Sequence, residues 1–292
     1  MRISDKMITS FVSRNSAASK ATYFDAIGKA TSGQKITTPS QDPAGAIRVT
    51  EYDRLLTRLG RCQKNLHNVD HGLRLADRAM VEMVDLVGET RALAIQMANG
   101  GMSQTDWNAA AVTAEGHFDQ LLSLANQRLQ DGRYLFGGVD EDTPPYGEGG
   151  VYQGSAVNRQ VEVAQGVFVD GTTTGLESFG DGSQVFGTIA QFIDDLKAGN
   201  TAGITQAIDD LGDSVDFALV NVARVGARGQ HLHEVDFTNQ ELQTHFQVER
   251  ARFAEVDQVE AFTNVVAAET GLNTVVELSS RLLQTSLLSF LR

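Results

Sequence analysis

The sequence predicts a mainly α protein: a long antiparallel helical bundle or coiled coil formed by both chain ends, with a small β-rich inserted domain. Three observations point there. An apolar seam in alternating steps of three and four runs from Tyr52 to Met97. Amphipathic stripes occupy both ends of the chain, at Ile3–Ala21 and Phe262–Phe290. Between the helical parts, from Asp131 to Gly175, prolines, glycines and alternating valines replace the helical pattern.

In the first segment Ile3, Met7, Phe11, Ala18 and Ala21 share one helical face, and Gly28 and Gly33 supply stop signals for a helix ending near Ile27–Ser32. The stretch "TSGQKITTPSQDPAGAIRV" (Thr31–Val49) then breaks the chain. Its prolines force the residues before them to be extended. Ser40 or Asp42 can cap the next helix, and Pro43 suits its first turn. A joint between two helical layers is expected here, with Gly33, Pro39, Asp42 and Pro43 as its residues.

The next helix carries the strongest periodicity: Tyr52, Leu55, Leu59, Cys62, Leu66, Val69, Leu73, Ala76, Met80, Met83, Val87, Thr90, Ala94 and Met97, with Thr90 its only polar member. At 1.5 Å per residue such a helix is roughly 75–80 Å long. Glycines in Ala98–Asp106 end it, and Ser103 or Thr105 can cap a returning helix that repeats the seam at Trp107, Ala111, Ala114, Phe118, Leu121 and Ala125. Arg159–Gly175 reads as short strands, with "DGTTTG" as a hairpin turn. Helical pattern resumes at "TIAQFIDDLKAG", continues from Ala202, and ends in the stripe Phe262, Val265, Val266, Leu272, Val275, Val276, Leu282, Leu283, Leu287 and Phe290. The expected organisation is a terminal coiled-coil layer (1–35 and 258–292), a discontinuous bundle (36–139 and 200–257) and a β-rich insert (140–199).

Composition narrows the function. Aromatics make up 7% of 292 residues, with Trp107 the sole tryptophan, which favours thin helical layers over a thick core. A net charge of −13 disfavours nucleic acid and anionic membrane as partners. From Phe136 to Val220 there are 14 acidic and 2 basic side chains, and from Met1 to Lys64 there are 11 basic and 5 acidic. A solvated middle with packed ends would account for that distribution. Cys62 is alone, so no intramolecular disulfide or multi-cysteine metal site is expected. No stretch approaches the roughly 20 apolar residues of a membrane span, and the first residues contain no apolar core of a Sec signal peptide. By that test the protein is cytoplasmic, or it leaves the cell by a route that reads something else.

No catalytic, cofactor or metal site is expected. His67 and His71 are four apart but have no third ligand at a recognisable spacing, and His231 and His233 are two apart. "FGDGSQVFG" has neither the Walker spacing nor the nucleophile elbow. Asp194/Asp195 and Asp209/Asp210 read as solvated helix faces, and Cys62, on the seam, as a small buried hydrophobe. The terminal stripes have no visible partner set large enough within the chain. They are expected to pair as a coiled coil buried only against neighbouring subunits, an assembly surface of Met7, Phe11, Ala18, Phe262, Val265, Leu272, Val276, Leu283, Leu287 and Phe290.

"TSGQKITTPSQDPAGA", "TRALAIQMANGGMSQTDW" and "DGRYLFGG", then "VARVGARGQHL" and "LLQTSLLSFLR", taken in order, resemble the bacterial flagellin superfamily. The likeness covers both ends, about Met1–Gly138 and Ala202–Arg292. Gln230–Phe246, with three histidines, departs from the pattern. Within the superfamily, "PSQDPAGA", "GRYLFGG" followed by "TPP", and the short insert look more like subunits of the hook–filament junction than like filament flagellin. The resemblance implies a structural, non-enzymatic role in an extracellular flagellum. It implies a ring of copies between a neighbouring hook-associated protein and flagellin, export by the flagellar type III route without a cleavable signal, and an export chaperone on the C-terminal helix. Filament flagellin and an unrelated cytoplasmic coiled-coil scaffold are the other readings.

Overall fold

The computed structural model describes the backbone of residues 5–290 and the side chains of Met7 and residues 9–281. Helices α1 (Asp5–Ser32), α2 (Pro43–Ala98) and α3 (Gln104–Ala125) come first. A hairpin of β1 (Gln160–Ala164) and β2 (Val167–Asp170) follows, then the one-turn α4 (Gly175–Ser178). A π-helical turn at Ser183–Gly187 runs into α5 (Thr188–Ala198), and α6 (Thr201–Ala254) and α7 (Gln258–Phe290) close the chain. The fold is mainly α with one small antiparallel hairpin, as expected. Two compact units are present: Met1–Arg58 with Leu242–Arg292, and Leu59–Glu241. The stretches 1–35 and 258–292 lie in the first, and 140–199 in the second.

In the second unit the α2 seam is the spine. Every seam residue from Leu59 to Met97, including Cys62 and Thr90, is buried. Thr90 is accommodated because its hydroxyl donates to Leu86 O (2.8 Å) and meets His117 Nδ1 on α3 (2.9 Å). Trp107 Nε1 donates to Met97 O, so residue numbers on α2 and α3 run in opposite directions and the pair is antiparallel. Ser103 starts α3 with a capping box: its hydroxyl accepts from the Asp106 amide and the Asp106 carboxylate accepts from the Ser103 amide. α6 covers the seam from another side, tied by Arg91 Nε donating to Ile208 O.

The deepest packing belongs to the middle of the chain. Phe136, Tyr146, Phe179, Phe186 and Phe192 are all fully buried. Phe136 meets Phe179 edge-on at 5.0 Å, and Phe118 of α3 meets Phe186 at 5.4 Å. The motif "RYLFGG" therefore builds a core. Its two glycines are required there: Gly138 has φ +70, and a side chain on either glycine would run into backbone carbonyl oxygens, of Asp140 at Gly137 and of Ser155 at Gly138. Burial pushes the Tyr152 hydroxyl up to about 12, so it stays protonated and donates to Ser155 O. The hairpin is clipped to the helices by two asparagines on adjacent strand carbonyls: Asn65 of α2 donates to Glu162 O and Asn239 of α6 to Val163 O.

Three expectations are corrected. The acidic middle is not a solvated layer around packed ends: it encloses the aromatic core, with most of its carboxylates exposed, while α1 and α7 expose large apolar side chains. "DGTTTG" is not the hairpin turn. β1 and β2 turn at Gln165–Gly166, where Gly166 has φ +75, and Thr174 instead caps α4 by accepting from the Glu177 amide. Asp195 does not lie on a solvated face. It is buried at the α5–α6 turn, where Asn200 Nδ2 donates to its carboxylate at 2.7 Å and Gly203 leaves room for it. Asp194, Asp209 and Asp210 are exposed, and α6 runs unbroken through Gln230–Phe246 with its three histidines exposed.

Phe136→Ala should cost about 3–5 kcal/mol through cavity formation, while Val112→Ala, on the exposed face of α3, should stay within about 0.5 kcal/mol. Urea unfolding of the full chain followed by Trp107 fluorescence reports both.

Candidate functional site

The residues expected to act lie in the first unit. α1 and α7 pack on each other along their length. Their joints fix the direction: the Val256 amide donates to Gly33 O (3.0 Å) and the Lys35 amide to Ala254 O (2.7 Å), with Gln34 and Glu255 paired as an antiparallel bridge. From there α1 and α7 run side by side in opposite chain directions.

Burial shows which faces meet. On α1, Val12, Ser16, Ser19, Tyr23 and Ala26 are half-buried, in steps of four and three. On α7, Ala261 is buried and Val265, Ala268, Leu272, Val275 and Ser279 are half-buried, in the same steps. This is a heptad seam made mostly of Ala, Ser and Val, residues small enough to let two backbones approach closely. Counted from the Gly33–Val256 hydrogen bond, Lys20 falls level with Glu269, while Lys29, level with Glu260, pairs with Asp25 of its own helix at 2.8 Å.

The sequence-predicted surface divides between two faces. Val265 and Leu272 lie on the seam. Met7, Phe11, Ala18, Phe262 and Val276 point away from it and are exposed, with Phe11 at 58% and Phe262 at 60%. Phe24, Val259, Val266 and Leu278 are likewise exposed. A groove of about 350 Å³ between the helices is lined by Phe11, Val12, Asn15, Ala18, Val275 and Leu278. The side chains of Leu283, Leu287 and Phe290, like Ile3, lie outside the described residues.

The joint residues come together as follows. Gly33, with φ +67, ends α1 by donating its amide to Lys29 O. Asp42 caps α2, its carboxylate accepting from the Gly45 amide at 2.9 Å, and Pro43 is the first helical residue. Pro39 is exposed in the loop between them. Gln41 was not expected but holds the loop: its Oε1 accepts from Thr37 and its Nε2 donates to Asp25 of α1 at 2.7 Å. A Cβ at Gly45 would crowd the Asp42 carboxylate that caps α2 and would meet Ile36 Cδ1 at 2.6 Å, so a side chain there would have to displace both.

The second half of the joint was only partly visible in sequence. The break between α6 and α7 contains neither glycine nor proline. Its signal is Asp257 three residues before Glu260, the spacing of a capping pair, and the Asp257 carboxylate accepts from the Val259 amide at 2.8 Å. Beside it, Arg48 lies 5.0 Å over the Phe253 ring, Tyr52 stacks on Phe253 at 6.3 Å, and Arg250 pairs with Asp53 at 2.5 Å. No helix-period pattern announces that cluster. Among the described residues no group of three His, Cys, Asp or Glu side chains could hold a metal, and no helix is long and apolar enough to cross a membrane.

Two outcomes are expected. Asp42→Ala should lose about 1 kcal/mol of capping, so exchange of the Gly45 amide rises roughly fivefold, measured by hydrogen–deuterium exchange. Lys20→Glu should speed exchange along α7 near Glu269 at low salt, with the difference shrinking as salt is added.

Residues 3–141 match the bacterial flagellin N-terminal helical region. A flagellar hook-associated protein 3 of Escherichia coli (strain K12) is 24% identical over 175 residues, covering 59% of this chain and 55% of that protein. The protein of the same name from Salmonella typhimurium is 23% identical over 192 residues, covering 65% and 58%. The chain thus spans little more than half the length of these relatives. A solved structure described as a putative flagellar hook-associated protein from Vibrio parahaemolyticus superposes with a TM-score of 0.67 at 21% identity, covering 74% of this chain and 100% of that one. That likeness is one of fold.

Proposed function

We propose that this chain, which matches the bacterial flagellin N-terminal helical region over residues 3–141, is a structural subunit of the flagellum that forms the junction between hook and filament. The observation that carries this reading is the outward face of the α1–α7 pair. Large apolar side chains, Phe11, Phe24, Phe262 and Val266 among them, stand exposed on helices whose mutual seam is mostly small residues. An apolar face of that kind marks a surface other proteins cover. The relatives' name, flagellar hook-associated protein 3, supports a place for that covering at the hook.

On this reading copies of the chain pack through their terminal helices into a ring. A hook-associated protein lies on one side and flagellin on the other. The subunit passes through the flagellar type III export route and is met by an export chaperone at its C-terminal helix. Its role is mechanical and needs no cofactor. Gly33, Pro39, Asp42 and Pro43 serve as the joint between the terminal pair and the longer helices.

The test is incorporation. Burying one phenylalanine ring is worth about 2 kcal/mol, so Phe11→Asp with Phe262→Asp should lower recovery of the protein in sheared flagella more than tenfold. Trp107 fluorescence should stay unchanged, showing that the second unit is intact. Wild-type recovery of the double variant would overturn the assignment of that face. Labelled wild-type protein distributed along the whole filament, instead of at its base, would make the chain a filament subunit.

A further inference from the structure

The turn between α2 and α3 holds a chemically labile residue. Asn99 follows directly on the last residue of α2 and is exposed, and it is the only one of the chain's twelve asparagines with glycine after it. Its side-chain Nδ2 donates to Ile95 O at 3.1 Å, helping to satisfy the carbonyls left open at the helix C-terminus. Gly100 has no side chain to shield its amide nitrogen, and the space around its Cα is open, with nothing within 4 Å of where a Cβ would stand. Gly101 adds a second residue without a side chain, at φ +113.

We propose that Asn99 is a site of spontaneous deamidation and backbone isomerisation in the folded protein. The Gly100 nitrogen gives up its proton and bonds to Asn99 Cγ. The Cγ–Nδ2 bond breaks, and the side-chain nitrogen leaves as ammonia with that proton, closing a five-membered imide. Water then opens the ring. Cleavage of the nitrogen–Cγ bond leaves an ordinary aspartate. Cleavage of the bond from nitrogen to the Asn99 main-chain carbonyl carbon leaves an isoaspartate, whose chain runs through Cγ and is one methylene longer. No oxidant or cofactor is involved, and water is the only co-reactant.

Either product changes the turn. The amide donor to Ile95 O becomes a carboxylate beside the negative end of α2. The isoaspartate also lengthens the connection that sets how Met97 O meets Trp107 Nε1 and how Ser103 caps α3.

The experiment is to hold the folded wild-type chain for days in mildly alkaline buffer at physiological temperature. Peptide mapping by mass spectrometry, with fragmentation that separates aspartate from isoaspartate, then follows all twelve asparagines. Asn99 should convert first, mainly to isoaspartate, with a half-time within a few-fold of that of a free peptide of the same turn sequence. Gly100→Ala, which the open space admits, should slow conversion several-fold without changing Trp107 fluorescence. Asn99→Asp should speed amide exchange in the last turn of α2 by about two- to fivefold, as expected for a misplaced charge at a helix end. If Asn99 stays intact while the free peptide converts, or if another asparagine such as Asn15 converts first, the proposal is overturned.

Discussion

A helix of 56 residues offers one narrow apolar stripe, and that stripe needs cover along its length. Much of the second unit follows from that constraint on α2. α3 turns back to cover the stripe near Met97, α6 lies along another flank, and the inserted segment packs its aromatic residues against the same core. The seam tolerates one hydroxyl, at Thr90, because the helix's own Leu86 carbonyl and the His117 ring receive it. Asn65 and Asn239 are the polar counterpart: each spends its amide on a strand carbonyl, fastening a hairpin too small to be stable alone.

The two units are held by different means. The stretch from Phe136 to Phe192 concentrates five fully buried aromatic rings, each worth about 1.5–3 kcal/mol or more of burial. The α1–α7 pair has a seam of alanine, serine and valine that removes little apolar area from water. Its alignment comes from elsewhere: the paired backbone hydrogen bonds of the joint and the Gln41–Asp25 tie. Most of the acidic excess of the middle lies on the outside of a well-packed body, with Asp195 the buried exception.

Legibility followed periodicity. The α2 seam, the Ser103 cap and the Asp42–Pro43 helix start could be read because apolar spacing and capping chemistry are local. The α1 face was misjudged for the same reason. Met7 and Phe11 are its conspicuous apolar residues, and they stand outside, while the seam uses Ser16, Ser19 and Ala26, which carry almost no hydrophobic signal. Asp195 looked solvated because a carboxylate pair on a helix normally is. The tight turn into α6, which brings Asn200 and the room at Gly203 to it, makes it a buried staple. The "DGTTTG" turn was misplaced because Thr174 serves a helix one residue later, a choice that depends on Phe136 accepting the Gly175 amide. The Arg48–Tyr52–Phe253 cluster joins residues some 200 positions apart, and only Tyr52, at the head of the seam, was visible locally.

The crossing at Gln34 and Glu255 has a mechanical consequence. Two covalent strands, one entering and one returning, leave the terminal helix pair side by side, bridged by hydrogen bonds perpendicular to both. A pull along the strands divides between two backbones and leaves those bridges unstretched. A load on one helix alone would slide one strand past the other and would have to break both hydrogen bonds at once.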